Sequence, residues 1–168
     1  MTITPGLLAI NINTAVLTRS TEMFGKMNPF CQVVIGTQLK RTTTHKKGGK
    51  NPNFRGEVLE FDVTNEMELK ISIYDEEKIK AHDLVGEAVF NILEVTKGEL
   101  KQKPIELNFK GKMVGTVYVD FDFKSRMGQL IGKKLLSGLG IGAAAGLAPG
   151  LGAAAATTKP EVKAVTKA

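Results

Sequence analysis

Apolar residues recur at every second position in run after run of this chain. Leu8, Ile10 and Ile12 alternate with Ala9, Asn11 and Asn13, and Ala15 and Leu17 extend the same face. Cys31, Val33 and Ile35 repeat the pattern over Phe30–Ile35, and a Gly36-Thr37 turn signal leads into a Thr-rich run, Gln38–Thr44. Leu59, Phe61 and Val63 form a fourth set, Leu69, Ile71 and Ile73 a fifth, and Leu84–Phe90 a sixth. Ile105, Leu107 and Phe109, then Val117, Val119, Phe121 and Phe123, complete the series. A period of two sends successive side chains to opposite faces of an extended chain, so each run reads as a strand with one buried face. Turn chemistry separates the runs at intervals of about ten residues, and no strand–helix–strand spacing occurs. The fold this predicts is all-β: an eight-stranded antiparallel sandwich. Asn91–Lys97 reads as one or two helical turns, stopped by Gly98.

Charge divides the chain in two. Of 23 Lys+Arg and 17 Asp+Glu, residues 124–168 hold seven cations and only Glu161, which leaves 16 of each sign in residues 1–123. The predicted domain is therefore 1–123, net neutral, and 124–168 is a basic, Gly/Ala-rich C-terminal tail carrying the whole +6. Within that tail Leu135–Thr158 has no charge, but its Ala/Gly composition and Pro149 make a poor membrane span. Gly138, Gly142, Gly146 and Gly150 recur every fourth residue, a spacing that lets helices approach closely. Glycine also opposes a lone helix, so the tail is expected to be flexible or ordered by a partner. Met127–Leu139 is weakly amphipathic.

Two segments of the neutral body are polarised. Lys40 to Arg55 carries six cations (Lys40, Arg41, Lys46, Lys47, Lys50, Arg55) and no acid. Tyr74–Gly86 carries Asp75, Glu76, Glu77 and Asp83. Asp75 and Glu77 lie two apart at the end of a strand, hence on one side, and Asp83 returns towards them as the next strand begins. Such a trio is either a hard-cation site or a solvated turn closed on Lys78 and Lys80. Met23, Phe24 and Met27 in one loop and Ile79 in the acidic loop sit beside lysines, a combination suited either to shallow insertion at a bilayer surface or to packing against one another over the rim. Cys31 reads as a small packed hydrophobe, and His45 and His82 lack partners at zinc spacing. No nucleophile–base arrangement presents itself, so no enzyme is expected, and no nucleic-acid ligand either. A single cysteine, no N-x-Ser/Thr acceptor and no apolar signal-type start favour an intracellular setting, cytoplasmic or peripheral to a membrane.

Several motifs, in order, resemble one family. Leu8-x-Ile10-x-Ile12-x-x-Ala15-x-Leu17 is similar to the opening strand of a C2 domain, and Gly25-Lys26-Met27-Asn28-Pro29-Phe30 to the Gly-x-Ser-Asp-Pro-Tyr segment before its next strand. Lys50-Asn51-Pro52-Asn53-Phe54 resembles the family's Asn-Pro-x-Trp turn, and Ile71-x-Ile73-Tyr74-Asp75 with Asp83-Leu84-Val85-Gly86 the strands flanking its third calcium loop. With Gly115-x-Val117-x-Val119-x-Phe121 last, the strand order resembles the phospholipase C-type topology. The resemblance implies a calcium cage of Glu22, Asn28, Asp75, Glu77 and Asp83. An amide stands at Asn28 and a longer acid at Glu22 where the family has two aspartates. Calcium affinity rests on the number of charged oxygens, so a two-ion site is not expected. A weak single-ion site and a loop closed on its lysines both stay open, and no cofactor is required. The resemblance further implies that Lys40, Arg41, Lys46, Lys47 and Lys50 face anionic headgroups or an acidic protein. Two functions follow as expectations: a non-enzymatic module docking on anionic phospholipid, or a protein-interaction component of a larger assembly with no lipid or calcium binding.

Overall fold

The computed structural model describes residues 2–138. Its strands are β1 (Gly6–Leu17), β2 (Pro29–Ile35), β3 (Gln38–Arg41), β4 (Asn53–Val63), β5 (Glu68–Asp75), β6 (Asp83–Asn91), β7 (Glu99–Phe109) and β8 (Lys112–Ser125). All pairs are antiparallel, in the order β3-β2-β5-β6-β7-β8-β1-β4. β6 and β7 are joined by one pair, Glu87 with Asn108. The sheet therefore folds over at that seam into two four-stranded halves. Leu8, Ile10, Ile12, Val119 and Phe121 from one half meet Cys31, Val33, Leu69, Ile71 and Ile73 from the other in a single core. These are the alternate residues that the period of two selects. The eight-stranded antiparallel fold expected from the sequence is the fold observed.

The open edges are tied rather than left as templates for further strands. Gln38 at the start of β3 donates to the Asp62 carbonyl at 2.6 Å and accepts the Asp62 N–H at 3.1 Å. The last strand pairs with the first along its length, as the phospholipase C-type order implies.

Element limits differ from the sequence reading at several strands: β4 begins at Asn53, ahead of Leu59, and β8 at Lys112, ahead of Val117, and two further differences have a visible cause. β3 ends at Arg41 and not at Thr44, because Thr42 turns inward: its hydroxyl accepts the Cys31 N–H at 3.0 Å. β7 begins at Glu99, six residues before the apolar alternation starts at Ile105. Ladder bonds are made by backbone, so the polar Lys101–Lys103 stretch joins the sheet around a register shift without an apolar signature. A single 3-10 turn, Ile92–Glu94, is capped by the Asn91 side chain, which accepts the Leu93 N–H at 2.8 Å.

Two compact units result, Met1–Ser125 and a second that begins at Arg126. In the second, α1 (Arg126–Gly138) is an amphipathic helix whose Met127, Ile131 and Leu135 recur at every fourth position, all exposed. Gly138 closes it; Gly142, Gly146 and Gly150 lie outside the described residues. Among the described residues no helix is long and apolar enough to cross a membrane.

Candidate functional site

The loops after β1 and β5 meet at one end of the sandwich. Asp75, the last residue of β5, is fully buried, and both its oxygens are used: Oδ2 accepts the Thr21 hydroxyl at 2.6 Å and Oδ1 the Asn28 N–H at 2.7 Å. Strand alternation places Glu77 on the same side. Glu22 arrives from the first loop, and oxygens of Glu22, Asp75 and Glu77 all lie within 4.8 Å of one another. Partial burial, and then the Asp75 and Glu77 charges, raise the Glu22 carboxyl above its ordinary range. Asp83 stands at the rim. Its carboxylate takes a 2.6 Å bond from the Lys80 ammonium, which also lies 3.5 Å from Glu77. That bond holds Asp83 below its ordinary pKa and raises that of Lys80.

The five residues of the implied cage are thus used unequally. Glu22, Asp75 and Glu77 converge; Asp83 is engaged by Lys80; the Asn28 side-chain oxygen accepts the Lys47 N–H at 2.9 Å. Three converging carboxylates fit a single hard cation, and the Lys80 ammonium already offsets part of their charge. Calcium bound there would be held by Glu22, Asp75 and Glu77.

Glu76 faces the other way. Between two residues that point into the acidic cup, alternation sends its side chain towards the basic segment. There Oε1 accepts the Thr44 hydroxyl at 2.5 Å and the Arg41 guanidinium at 2.8 Å, and Oε2 lies 2.9 Å from the Lys46 ammonium. These three donors, Thr44 foremost, hold its carboxyl at about 2. In the sequence the acidic loop and the basic segment stand as separate assets, with Glu76 one acid among four. The alternation that pairs Asp75 with Glu77 already sets Glu76 apart; only its partners are hidden there.

Of the basic residues, Arg41 and Lys46 are therefore engaged by Glu76. Lys40 lies over the Phe61 ring at 5.7 Å, while Lys47 and Lys50 are exposed. The expected apolar tips divide. Met23, Phe24 and Ile79 are 89%, 86% and 100% exposed. Met27, expected among them, is 1% exposed and belongs to the core. Its sulfur accepts the Thr21 N–H at 3.5 Å, so it packs under the first loop and is not available to a membrane. An open groove of about 740 Å³ joins these parts, lined by Glu22, Glu77, Lys46, Lys47, Lys78 and Ile79 among others. Arg19, which the sequence did not single out, braces the rim. It donates to the Leu84 carbonyl at 2.6 Å and lies 3.7 Å over the Phe109 ring.

The C2 domain family model matches residues 6–107. Ingression protein fic1 of Schizosaccharomyces pombe is 31% identical over 120 residues, a match covering 70% of this chain and 44% of that protein. Multiple C2 and transmembrane domain-containing protein 2 of Mus musculus is 28% identical over 123 residues, covering 70% of this chain and 13% of that one. The chain spans less than half the length of either relative. Among solved structures, a single C2 domain of plant extended synaptotagmin 1 superposes with a TM-score of 0.64 at 24% identity, over 73% of this chain and 97% of that one. The calcium-bound tandem C2 domains of extended synaptotagmin 2 give 0.63 at 21%, over 74% and 48%. At those identities the likeness concerns the fold alone.

Proposed function

The chain belongs to the C2 domain family, and from that premise we propose that it is a non-enzymatic module that docks on anionic phospholipid membranes, with weak calcium dependence. The observation that carries this reading is the groove in which cations, carboxylates and an apolar tip share one rim: Lys46, Lys47 and Lys78 beside Glu22, Glu77 and the fully exposed Ile79. Cations near an anionic leaflet contribute about 1 kcal/mol each, and exposed Phe24, Met23 and Ile79 add shallow apolar insertion. Lys47 and Lys50 flank this end, and α1 brings Arg126, Lys133 and Lys134 with no acid. Calcium at Glu22, Asp75 and Glu77 would supply positive charge facing the lipid, as one ion held by three carboxylates, so its contribution is modest. The protein belongs on this reading to the cytoplasmic face of a membrane, as a peripheral component.

Sedimentation of the full chain with phosphatidylserine vesicles, in chelator and in calcium, across a salt series, tests the reading. Binding that falls steeply with salt and changes little with chelator is the expected result. Failure to bind under every condition would overturn it and favour a protein-docking role.

A further inference from the structure

We propose that Arg41, Thr44 and Lys46 form an oxoanion cradle whose resident ligand is Glu76, and that a phosphomonoester headgroup displaces Glu76 when the domain docks. The proposal rests on the membrane-docking reading and adds to it what occupies the site beforehand. The cradle is already shaped around an anion: a guanidinium, a hydroxyl and an ammonium converge on one carboxylate at 2.5 to 2.9 Å. Two of its donors are fixed without Glu76. The Arg41 guanidinium lies 3.6 Å over the Phe30 ring and also donates to the Thr44 oxygen at 3.0 Å. Phe30 in turn stacks on Tyr74. The geometry therefore outlasts the departure of the carboxylate. The cradle is also open, since the Lys46 side chain is 70% exposed and that of Arg41 36%. Both cations are thus reachable from solvent while they hold Glu76, so an incoming anion competes with the carboxylate for them.

The competitor must outbid a tethered single charge. A phosphodiester headgroup offers one negative charge and no covalent tether. A phosphomonoester offers up to two charges and three acceptor oxygens, matching a planar guanidinium fork with an ammonium and a hydroxyl beside it. Glu76 thus sets a charge threshold that favours phosphomonoester lipids. Its backbone supports the same conclusion. The Glu76 N–H is held by the Asn28 carbonyl at 2.9 Å, so the side chain alone swings out while Asp75 stays seated.

The test compares phosphatidylcholine vesicles carrying phosphatidic acid with others carrying phosphatidylserine at matched surface potential. Wild-type chain is expected to bind the phosphatidic acid vesicles about tenfold tighter. Glu76→Gln removes the charge and keeps one acceptor oxygen for Thr44 and Arg41, while its amide N–H2 cannot accept from Lys46, so the resident ligand is weakened; phosphatidylserine binding should rise about tenfold and the preference should narrow. Glu106→Gln, an equal charge change at an exposed position of β7, should do neither. A Glu76→Gln gain no larger than that of Glu106→Gln, or a wild type without preference, would overturn the proposal. A second arm needs no variant and no membrane: glycerol 3-phosphate added to carbon-13-labelled wild type should shift the Glu76 carboxyl resonance. Shifts confined to Lys47 and Lys50 would also overturn it. If no vesicle is bound while Glu76 responds to glycerol phosphate, the docking reading fails and the cradle stands as a site for a soluble phosphomonoester.

Discussion

Asp75 and Glu77 look equivalent as carboxylates and differ in what they hold up. Asp75 is fully buried with both oxygens bonded to protein donors, so truncation leaves the Thr21 hydroxyl and Asn28 N–H unpaired in the interior. Asp75→Ala is expected to cost about 2 kcal/mol of stability as well as any calcium response. Glu77→Gln should weaken calcium binding and leave the urea midpoint nearly unchanged, and calorimetric titration beside urea unfolding of the full chain separates the two effects. The carboxyls of Glu76 and Glu22 act on stability with opposite signs. Glu76 sits at about 2 against an ordinary 4.5, so its contribution is complete above 4.5 and is lost as pH falls towards 2. Glu22 is raised, so folding favours its protonated form and stability declines as pH rises past 4.5 through its folded value. Glu22→Gln should therefore stabilise the domain at neutral pH and not below pH 4.5, read from urea midpoints across pH.

At the scale of elements, close packing between strands makes the first prediction. β6 approaches its neighbours so closely at Gly86 that an added Cβ would stand 2.5 Å from the Val114 side chain and 3.2 Å from Leu107. Gly86→Ala should cost about 1–3 kcal/mol by overpacking, measured as a lowered urea midpoint. The helix α1 makes a different prediction. Its Met127–Ile131–Leu135 stripe lies in a unit separate from the sandwich, so Leu135→Glu should weaken vesicle binding several-fold while leaving sandwich unfolding unchanged. The strands themselves were readable wherever one face is buried. β7 before Ile105 was not, because backbone pairing there carries polar side chains. Met27 was misplaced for a related reason: a single apolar residue in a loop has no period to say which way it points.

For the whole molecule, charge is organised more than its total implies. The six cations of Lys40–Arg55 and the four acids of Tyr74–Gly86 are not two independent patches, since Glu76 ties Arg41 and Lys46 to the acidic loop. Lys47 and Lys50 are left to act at long range. Lys47→Ala with Lys50→Ala is expected to flatten the salt dependence of docking on phosphatidylserine vesicles, each lysine being worth about 1 kcal/mol at low salt.

The amino-acid sequence by itself determined the strands, their number, the neutral body with its basic extension, and the shared direction of Asp75 and Glu77. All of these are properties of neighbours along the chain, and the geometry of an extended backbone converts spacing directly into side-chain direction. The meeting of Glu22 with Asp75 is already implied by the family resemblance; only the tertiary structure decided that the Asn28 oxygen serves Lys47 and that Glu76 fills a cradle built from Arg41, Thr44 and Lys46. Those partners are far apart in sequence and meet because β2 pairs with both β3 and β5. No local pattern encodes a contact made by pairing strands that are far apart along the chain.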